Sequence, residues 1–123
     1  MELTQIVAQG RQQIQTYREG GFTIAGARHE GSVLVFPDRT LPWEVRELPA
    51  LTLESLGPII AAAEVEILIL GCGGRFALPS PELREALRAH GIVTESMDTR
   101  AACRTFNVLL AEDRRVAAAL IAL

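Results

Sequence analysis

Apolar and polar positions alternate over short stretches in the amino-terminal third of the chain, a pattern typical of β-strands. It predicts three strands, at residues 12–17, 22–27 and 32–36. Gly20-Gly21 separates the first two and His29-Glu30-Gly31 the second two, as hairpin turns would. The third strand is apolar on both faces, so we expect it to be central in a sheet.

The segment at residues 37–49 is predicted to be an irregular connection, because it holds three of the six prolines. It also contains Trp43, the only tryptophan of the chain. A tryptophan in a proline-bounded loop usually covers an edge of the core, and we prefer that interpretation to stacking on a ligand.

The next segment predicts a helix whose beginning has two interpretations. Thr52 can cap a helix with one apolar face, made of Leu53, Leu56, Ile59, Ile60 and Ala63. Pro58 would kink that helix because it lacks an N–H donor, so the helix alternatively begins at Gly57 with Pro58 in its first turn. The apolar run at residues 67–70 then predicts a buried strand.

The carboxyl-terminal half alternates strands and helices. Ser80 followed by Pro81 predicts a helix start, and Gly91 predicts its left-handed exit. A strand at 92–97, a helix at 99–111 and a strand at 116–121 follow. This βαβα order predicts a parallel pair of strands, and the same argument makes the last strand parallel to its predecessor. We therefore expect one α/β domain over residues 1–123.

Composition narrows the classes of function. With 123 residues, 49% of them hydrophobic, the chain is long enough for a real core. The net charge of −3 disfavours a nucleic-acid partner. All cationic residues are arginine, which excludes a Schiff base or a Walker lysine. Two cysteines are too few for a disulfide framework or a zinc site, and we expect no metal and no cofactor.

Membrane insertion and secretion are not expected from the sequence. Residues 1–5 lack the cationic and apolar regions of a secretory signal, and the longest apolar run, at residues 116–123, is far shorter than the roughly 20 residues of a membrane helix. These features predict a soluble cytoplasmic protein.

The first candidate site is the glycine loop after the predicted strand at 67–70. Gly71, Gly73 and Gly74 would let backbone N–H groups approach an anion, with Arg75 beside them. The loop fits a dinucleotide fingerprint poorly, because Phe76 stands where a third small residue is needed. In the alternative interpretation, the glycines permit a tight strand exit packed under Phe76.

The second candidate is the start of the helix at 99–111, where Asp98 or Thr99 can be the cap. Its first turn is expected beside the glycine loop, since open parallel sheets place such loops at one edge. Arg100, Arg104 and Asn107 share one face of the helix and could bind a carboxylate, a phosphate or an acidic patch on a partner protein. Alternatively, this stripe is simply solvated.

Thiol redox chemistry at Cys103 is a third hypothesis. A position one turn inside a helix and beside arginine lowers the pKa of a thiol, and Cys72 could lie near it. Inert packing in the core is the alternative that we favour. His29 and His90 have no evident partners, and no set of residues in the sequence resembles a catalytic arrangement.

Several segments together resemble a known family: Leu70-Gly71-x-Gly73, Pro79-Ser80-Pro81-Glu82-Leu83 and the stretch from Met97 to Leu109. The chain is similar over nearly its whole length to a small α/β family of largely unknown function. That family includes a mitochondrial assembly factor for respiratory complex I (NADH dehydrogenase) and an adipogenesis-associated vertebrate protein. The resemblance implies a central mixed sheet, mostly parallel, with helices on both faces and an additional amino-terminal β-hairpin layer. The chain departs from the family at Cys72 and Arg100.

Two functional hypotheses follow. The first is a non-enzymatic interaction domain that assists assembly of a respiratory or membrane-associated complex, with respiratory-complex subunits or assembly factors as partners. The alternative is a site for an anionic metabolite or nucleotide between the loop at residues 71–75 and the Thr99 helix start, with redox chemistry at Cys103. Both hypotheses leave the oligomeric state open.

Overall fold

The structure is a computed structural model that describes residues 11–123, so residues 1–5 lie outside the described part. Eight strands are present in it: β1 (Ile14–Thr16), β2 (Gly21–Ile24), β3 (Ala27–Glu30), β4 (Val33–Val35), β5 (Thr40–Pro42), β6 (Ile67–Gly71), β7 (Val93–Met97) and β8 (Val116–Leu120). The helices are α1 (Gly57–Ala62), α2 (Pro81–Ala89) and α3 (Thr99–Ala111), with short 3-10 turns at Leu48–Ala50 and Glu54–Leu56.

The strands form two sheets. A three-stranded antiparallel sheet has the order β1-β2-β3, and a five-stranded sheet has the order β5-β4-β8-β6-β7. In the larger sheet β6 is parallel to both β7 and β8, whereas β4 is antiparallel to β5 and β8. The predicted mixed sheet is therefore confirmed, and the last strand has the predicted direction. The middle strand is β8; β4 is interior but lies one place nearer the edge.

Both faces of the five-stranded sheet are covered, because successive side chains of each strand point to opposite faces. One face carries Leu68 and Leu70 and packs with Leu56, Ile59 and Leu87 around α1 and α2. The other face carries Ile69 and Ala118. These side chains pack with Phe106 of α3 and with Phe22 and Ile24 of the small sheet. The predicted helices on both faces and the additional β layer are both present.

Two predictions for the amino-terminal half were wrong. Residues 22–27 do not form one strand, because Ala25 and Gly26 take positive φ angles of 50° and 83° and close a hairpin between β2 and β3. His29 consequently lies in β3. Gly31, with φ of 78°, turns the chain from the small sheet into the large one and is not in a hairpin.

The segment at residues 37–49 is also more regular than predicted. Residues 40–42 form β5, which pairs with β4 in a tight hairpin. Pro42 is tolerated there because β5 is an edge strand, which needs fewer backbone donors. Trp43 is buried in the core next to it, as predicted, and its Nε1 donates a hydrogen bond of 2.8 Å to the Ser55 carbonyl.

The helix starts follow local signals in the sequence. The Ser80 side chain accepts a 3.1 Å hydrogen bond from the Leu83 amide, and Pro81 occupies the first turn of α2. Of the two interpretations of the middle helix, the later start is confirmed: α1 begins at Gly57, and the Thr52 hydroxyl instead accepts a 3.1 Å hydrogen bond from the Ser55 amide in the preceding 3-10 turn.

Candidate functional site

The glycine loop and the start of α3 meet, as predicted from the parallel strands that precede them. Both strands end at the same edge of the sheet, where Gly71 pairs with Met97. The Thr99 amide donates to the Gly73 carbonyl at 2.9 Å. The Thr99 hydroxyl accepts from the Gly73 amide at 2.9 Å and donates to the Ile121 carbonyl at 2.7 Å. One buried side chain thus joins the glycine loop, α3 and the segment after β8.

The space around Gly71, where these segments meet, is filled by other side chains of the protein. Thr99 is completely buried, and a Cβ added at Gly71 would lie 3.0 Å from both the Thr99 hydroxyl and the Leu120 side chain and 3.2 Å from Ala102. Asp98 occupies the cap position of α3, and its side chain accepts from the Ala101 amide at 3.0 Å. Gly71 therefore serves close packing here, and the part of the predicted hollow next to Gly71 and Thr99 is filled.

An open cleft of about 460 Å³ lies beside this closed junction. Gly73 and Gly74 contribute to its wall, and three arginines from separate segments line it: Arg46 before the first 3-10 turn, Arg75 in the glycine loop and Arg100 in α3. A guanidinium group presents several donors in a planar fork that suits carboxylates and phosphates. In the described part of the chain, none of the three guanidiniums makes a hydrogen bond or ion pair.

The other two residues of the predicted stripe on α3 have different surroundings, since Asn107 is hydrogen-bonded to the backbone and Arg104 is exposed to solvent. Asn107 is bound to the backbone of Ile14: its side-chain oxygen accepts from the Ile14 amide at 2.9 Å, and its nitrogen donates to the Ile14 carbonyl at 2.8 Å. These two bonds hold β1 on α3. Arg104, one turn after Arg100, is exposed. Of the stripe, Asn107 is therefore committed to the fold, whereas Arg100 and Arg104 are exposed.

The two cysteines lie on opposite faces of the large sheet. Cys103 is 1% exposed among the side chains of the α3 face, whereas Cys72 packs against the α2 face. Burial raises the pKa of the Cys103 thiol to about 12, although the nearby Arg104 guanidinium acts in the opposite direction. Burial also raises the pKa of Cys72, whose Sγ lies 3.0 Å from the Ala77 carbonyl. Both placements disfavour a thiolate, and with it the redox hypothesis, and agree with the inert packing that we favour for Cys103.

The sequence interpretation missed three exposed features around the cleft. Arg46 comes from a loop without periodicity, so nothing in the sequence links it to Arg75. Phe76, expected to cover the glycine exit, is 60% exposed, and Leu78 is 58% exposed. Exposed apolar residues on a loop cannot be told from buried ones by sequence pattern alone.

Two further features are absent from residues 11–123. No group of three or more histidine, cysteine or acidic side chains is arranged to hold a metal ion there. Within the same residues, none of the helices combines the length and apolar character needed to cross a bilayer.

Fold and site together define a small mixed α/β domain whose strand-end junction is closed and whose exposed arginines lie beside it. Residues 14–121 match the family described as "Protein of unknown function (DUF498/DUF598)". The chain belongs to this family, as the resemblance in the sequence implied.

Comparison with named relatives and solved structures agrees with this membership. The chain is 38% identical over 109 residues to NADH dehydrogenase [ubiquinone] 1 alpha subcomplex assembly factor 3 of Xenopus tropicalis; the match covers 88% of this chain but only 60% of that protein. A crystal structure from Bartonella henselae, described as an outer membrane protein, matches with a TM-score of 0.85, 38% identity, and coverage of 93% of this chain and 97% of that one. The solution structure of a Bordetella pertussis Mth938-like domain matches with a TM-score of 0.84, 27% identity, and coverage of 99% and 92%.

Proposed function

We propose that this chain is a non-enzymatic interaction domain that assists the assembly of a respiratory complex, complex I in the first place. The observation that carries the proposal is the 38% identity to a complex I assembly factor over 88% of the chain. Its partners would be subunits of the complex or other assembly factors. Because the match covers 60% of that relative, the proposal concerns the role of this domain alone.

The geometry favours this function over the binding of a metabolite at the strand ends. An anionic metabolite at Gly71 itself would need the space that Thr99, Ala102 and Leu120 fill, and only the arginine cleft beside it is open. The outer surface of the domain instead exposes guanidinium groups and apolar side chains. Such groups suit recognition of another protein.

The proposal is tested by deleting the gene for this chain in its source organism. Without the chain, we expect less fully assembled complex I on native gels and a lower rate of NADH:ubiquinone oxidoreduction, with succinate oxidation unchanged as the control. Expression of the chain from a plasmid should restore both. A normal amount of active complex I in the deletion strain would refute the assembly role.

Affinity capture adds a direct test for partners. The tagged chain and its Arg104→Glu variant are used as paired baits, because Arg104 is exposed on α3 and makes no bond on which the fold depends in the described residues. We expect complex I subunits or assembly factors to be recovered reproducibly with the unmodified chain. Recovery of no reproducible partner with either bait would contradict an interaction function.

A further inference from the structure

Two neighbouring loops form one continuous surface beside the closed strand ends. At one end is the arginine cleft described above. At the other is an apolar groove of about 280 Å³, lined by Leu48, Pro49, Leu51, Leu78 and Leu83. Leu48 lines both the cleft and the groove, so the two concavities adjoin. We call the cleft and the groove together the two-loop surface.

Two large apolar side chains are exposed in the loop that leads from the cleft to the groove. Leu78 lines the groove, and Phe76 follows Arg75 of the cleft in the sequence without lining either concavity. Phe76 and Leu78 are 60% and 58% exposed, although they flank Ala77 in a loop of only a few residues. Exposed apolar groups that are adjacent and rimmed by polar residues mark surfaces for association. Val108 is exposed to a similar extent, but it lies on α3 and lines neither concavity.

The charge of the two-loop surface is opposite to that of the whole chain. Arg46, Arg75 and Arg100 line the cleft with Glu47 as the one acidic side chain, while the chain has a net charge of −3. In the described residues these three arginines form no ion pair. Like charges gathered in one cleft repel each other, and carboxylates brought by a partner would relieve that repulsion.

From this complementarity we infer that the two-loop surface binds an extended segment of a partner protein in which acidic residues stand next to apolar ones. The acidic residues occupy the cleft, and the apolar residues pack on Phe76, on Leu78 and in the groove. The inference rests on the proposed function and names the kind of partner segment.

The shape of the surface favours a protein segment over two other occupants. A lipid bilayer is flat, whereas the cleft and groove are concave, and Glu47 would be repelled by anionic headgroups. A single small anion would use the cleft and leave the adjoining groove and Phe76 exposed. An extended segment fills both concavities at once.

Site-specific photo-crosslinking in the cell tests the inference. The photoreactive residue p-benzoylphenylalanine replaces Phe76 in the full chain and, as a matched control, Val108, which is exposed to a similar extent on α3. After irradiation, crosslinked peptides are identified by mass spectrometry. We expect crosslinks from position 76 to map to one partner segment that contains aspartate or glutamate beside apolar residues, and position 108 not to reach that segment.

Charge reversal then tests the role of the arginines. Arg75→Glu combined with Arg100→Glu should lower the crosslinking yield at position 76 about tenfold, since like charges across an interface cost several kcal/mol. Arg18→Glu combined with Arg114→Glu makes the same change in net charge away from the two-loop surface and should leave the yield unchanged. The milder pair Arg75→Gln and Arg100→Gln should give an intermediate loss, and circular dichroism checks that every variant is folded.

Several results would overturn the inference. Position 76 could crosslink only to lipid or to nothing at all. The crosslinked segment could lack acidic residues, or the crosslinking yield at position 76 could be insensitive to the charge reversal. Sedimentation of the chain with phosphatidylglycerol vesicles, abolished by the same charge reversal, would assign the surface to a membrane instead.

Complementation separates this inference from the proposed function. If the deletion strain lacks complex I and the Arg75→Glu/Arg100→Glu variant restores it fully, the two-loop surface is not the docking site and the assembly role stands. If the deletion strain assembles complex I normally, the assembly role fails, and the crosslinked segment still decides what the surface binds.

Discussion

The hydroxyl of Thr99 is the most consequential single polar group at the strand ends. It accepts from the Gly73 amide and donates to the Ile121 carbonyl while being completely buried. Thr99→Val removes the hydroxyl and keeps the shape of the side chain. Two backbone groups then lose their partners, and each unsatisfied buried group costs about 1–3 kcal/mol. Because Gly74 in the same loop is exposed, water can reach part of this site, and we expect a loss of about 2–4 kcal/mol.

Thr99→Ser is the matched control, because it keeps the hydroxyl and removes one methyl group. That methyl is worth about 1 kcal/mol when buried. Urea unfolding followed by circular dichroism measures both variants. We expect the unfolding midpoint of the valine variant to fall by about 1–2 M, with an unchanged denaturant slope.

A difference of less than about 0.5 kcal/mol between the valine and serine variants would refute this reasoning, since it is the size of an ordinary surface effect. It would mean that the loop and the segment after β8 do not depend on the Thr99 hydroxyl. The closed junction would then need another explanation.

Three further predictions concern other buried contacts. Asn107→Ala removes both bonds to Ile14 and should cost about 1–3 kcal/mol in urea unfolding, because β1 loses its attachment to α3, whereas alanine at the exposed Arg104 should cost less than about 0.5 kcal/mol. The Cys103 pKa of about 12 lies above its ordinary value near 9, so between these two values the folded state keeps a proton that the unfolded state loses. The free energy of unfolding should therefore fall by roughly 1.4 kcal/mol per pH unit between about pH 9 and about pH 12, and Cys103→Ala should abolish that part of the slope. Trp43, bonded to the Ser55 carbonyl in the core, should fluoresce at shorter wavelength than in urea and resist iodide quenching; ready quenching of the folded chain would contradict its burial.

The parallel half of the fold was predictable because its signals are local. Ser80 and Asp98 cap the helices that follow them, and the buried run of β6 stands out without knowledge of its partners. In contrast, β3 and β5 are edge strands of three or four residues with little hydrophobic pattern. Their existence depends on the turns beside them, and the turn at Ala25-Gly26 lacks the asparagine or aspartate that usually marks such hairpins.

The candidate site was predictable only to the level of topology. Parallel strands bring the glycine loop and α3 to one edge, whatever the side chains are. Whether the junction is open or closed depends on contacts of about 3 Å around Gly71, which no spacing rule encodes. Arg46 lies beside Arg75 and Arg100 because of the path of an irregular loop. The arginine cleft could therefore be identified only from the structure.

The backbone donors at the start of α3 limit how the strand ends could hold an anion. A crevice of that kind binds anions through uncommitted amides at a helix start. Here the Thr99 amide donates to Gly73, and the amides of Ala101 and Ala102 donate to Asp98. With these donors committed within the chain, an anion in the adjoining cleft would be held mainly by the arginine side chains that line it. Exposed arginine side chains of this kind suit the carboxylates of another protein, which is what the proposed function requires.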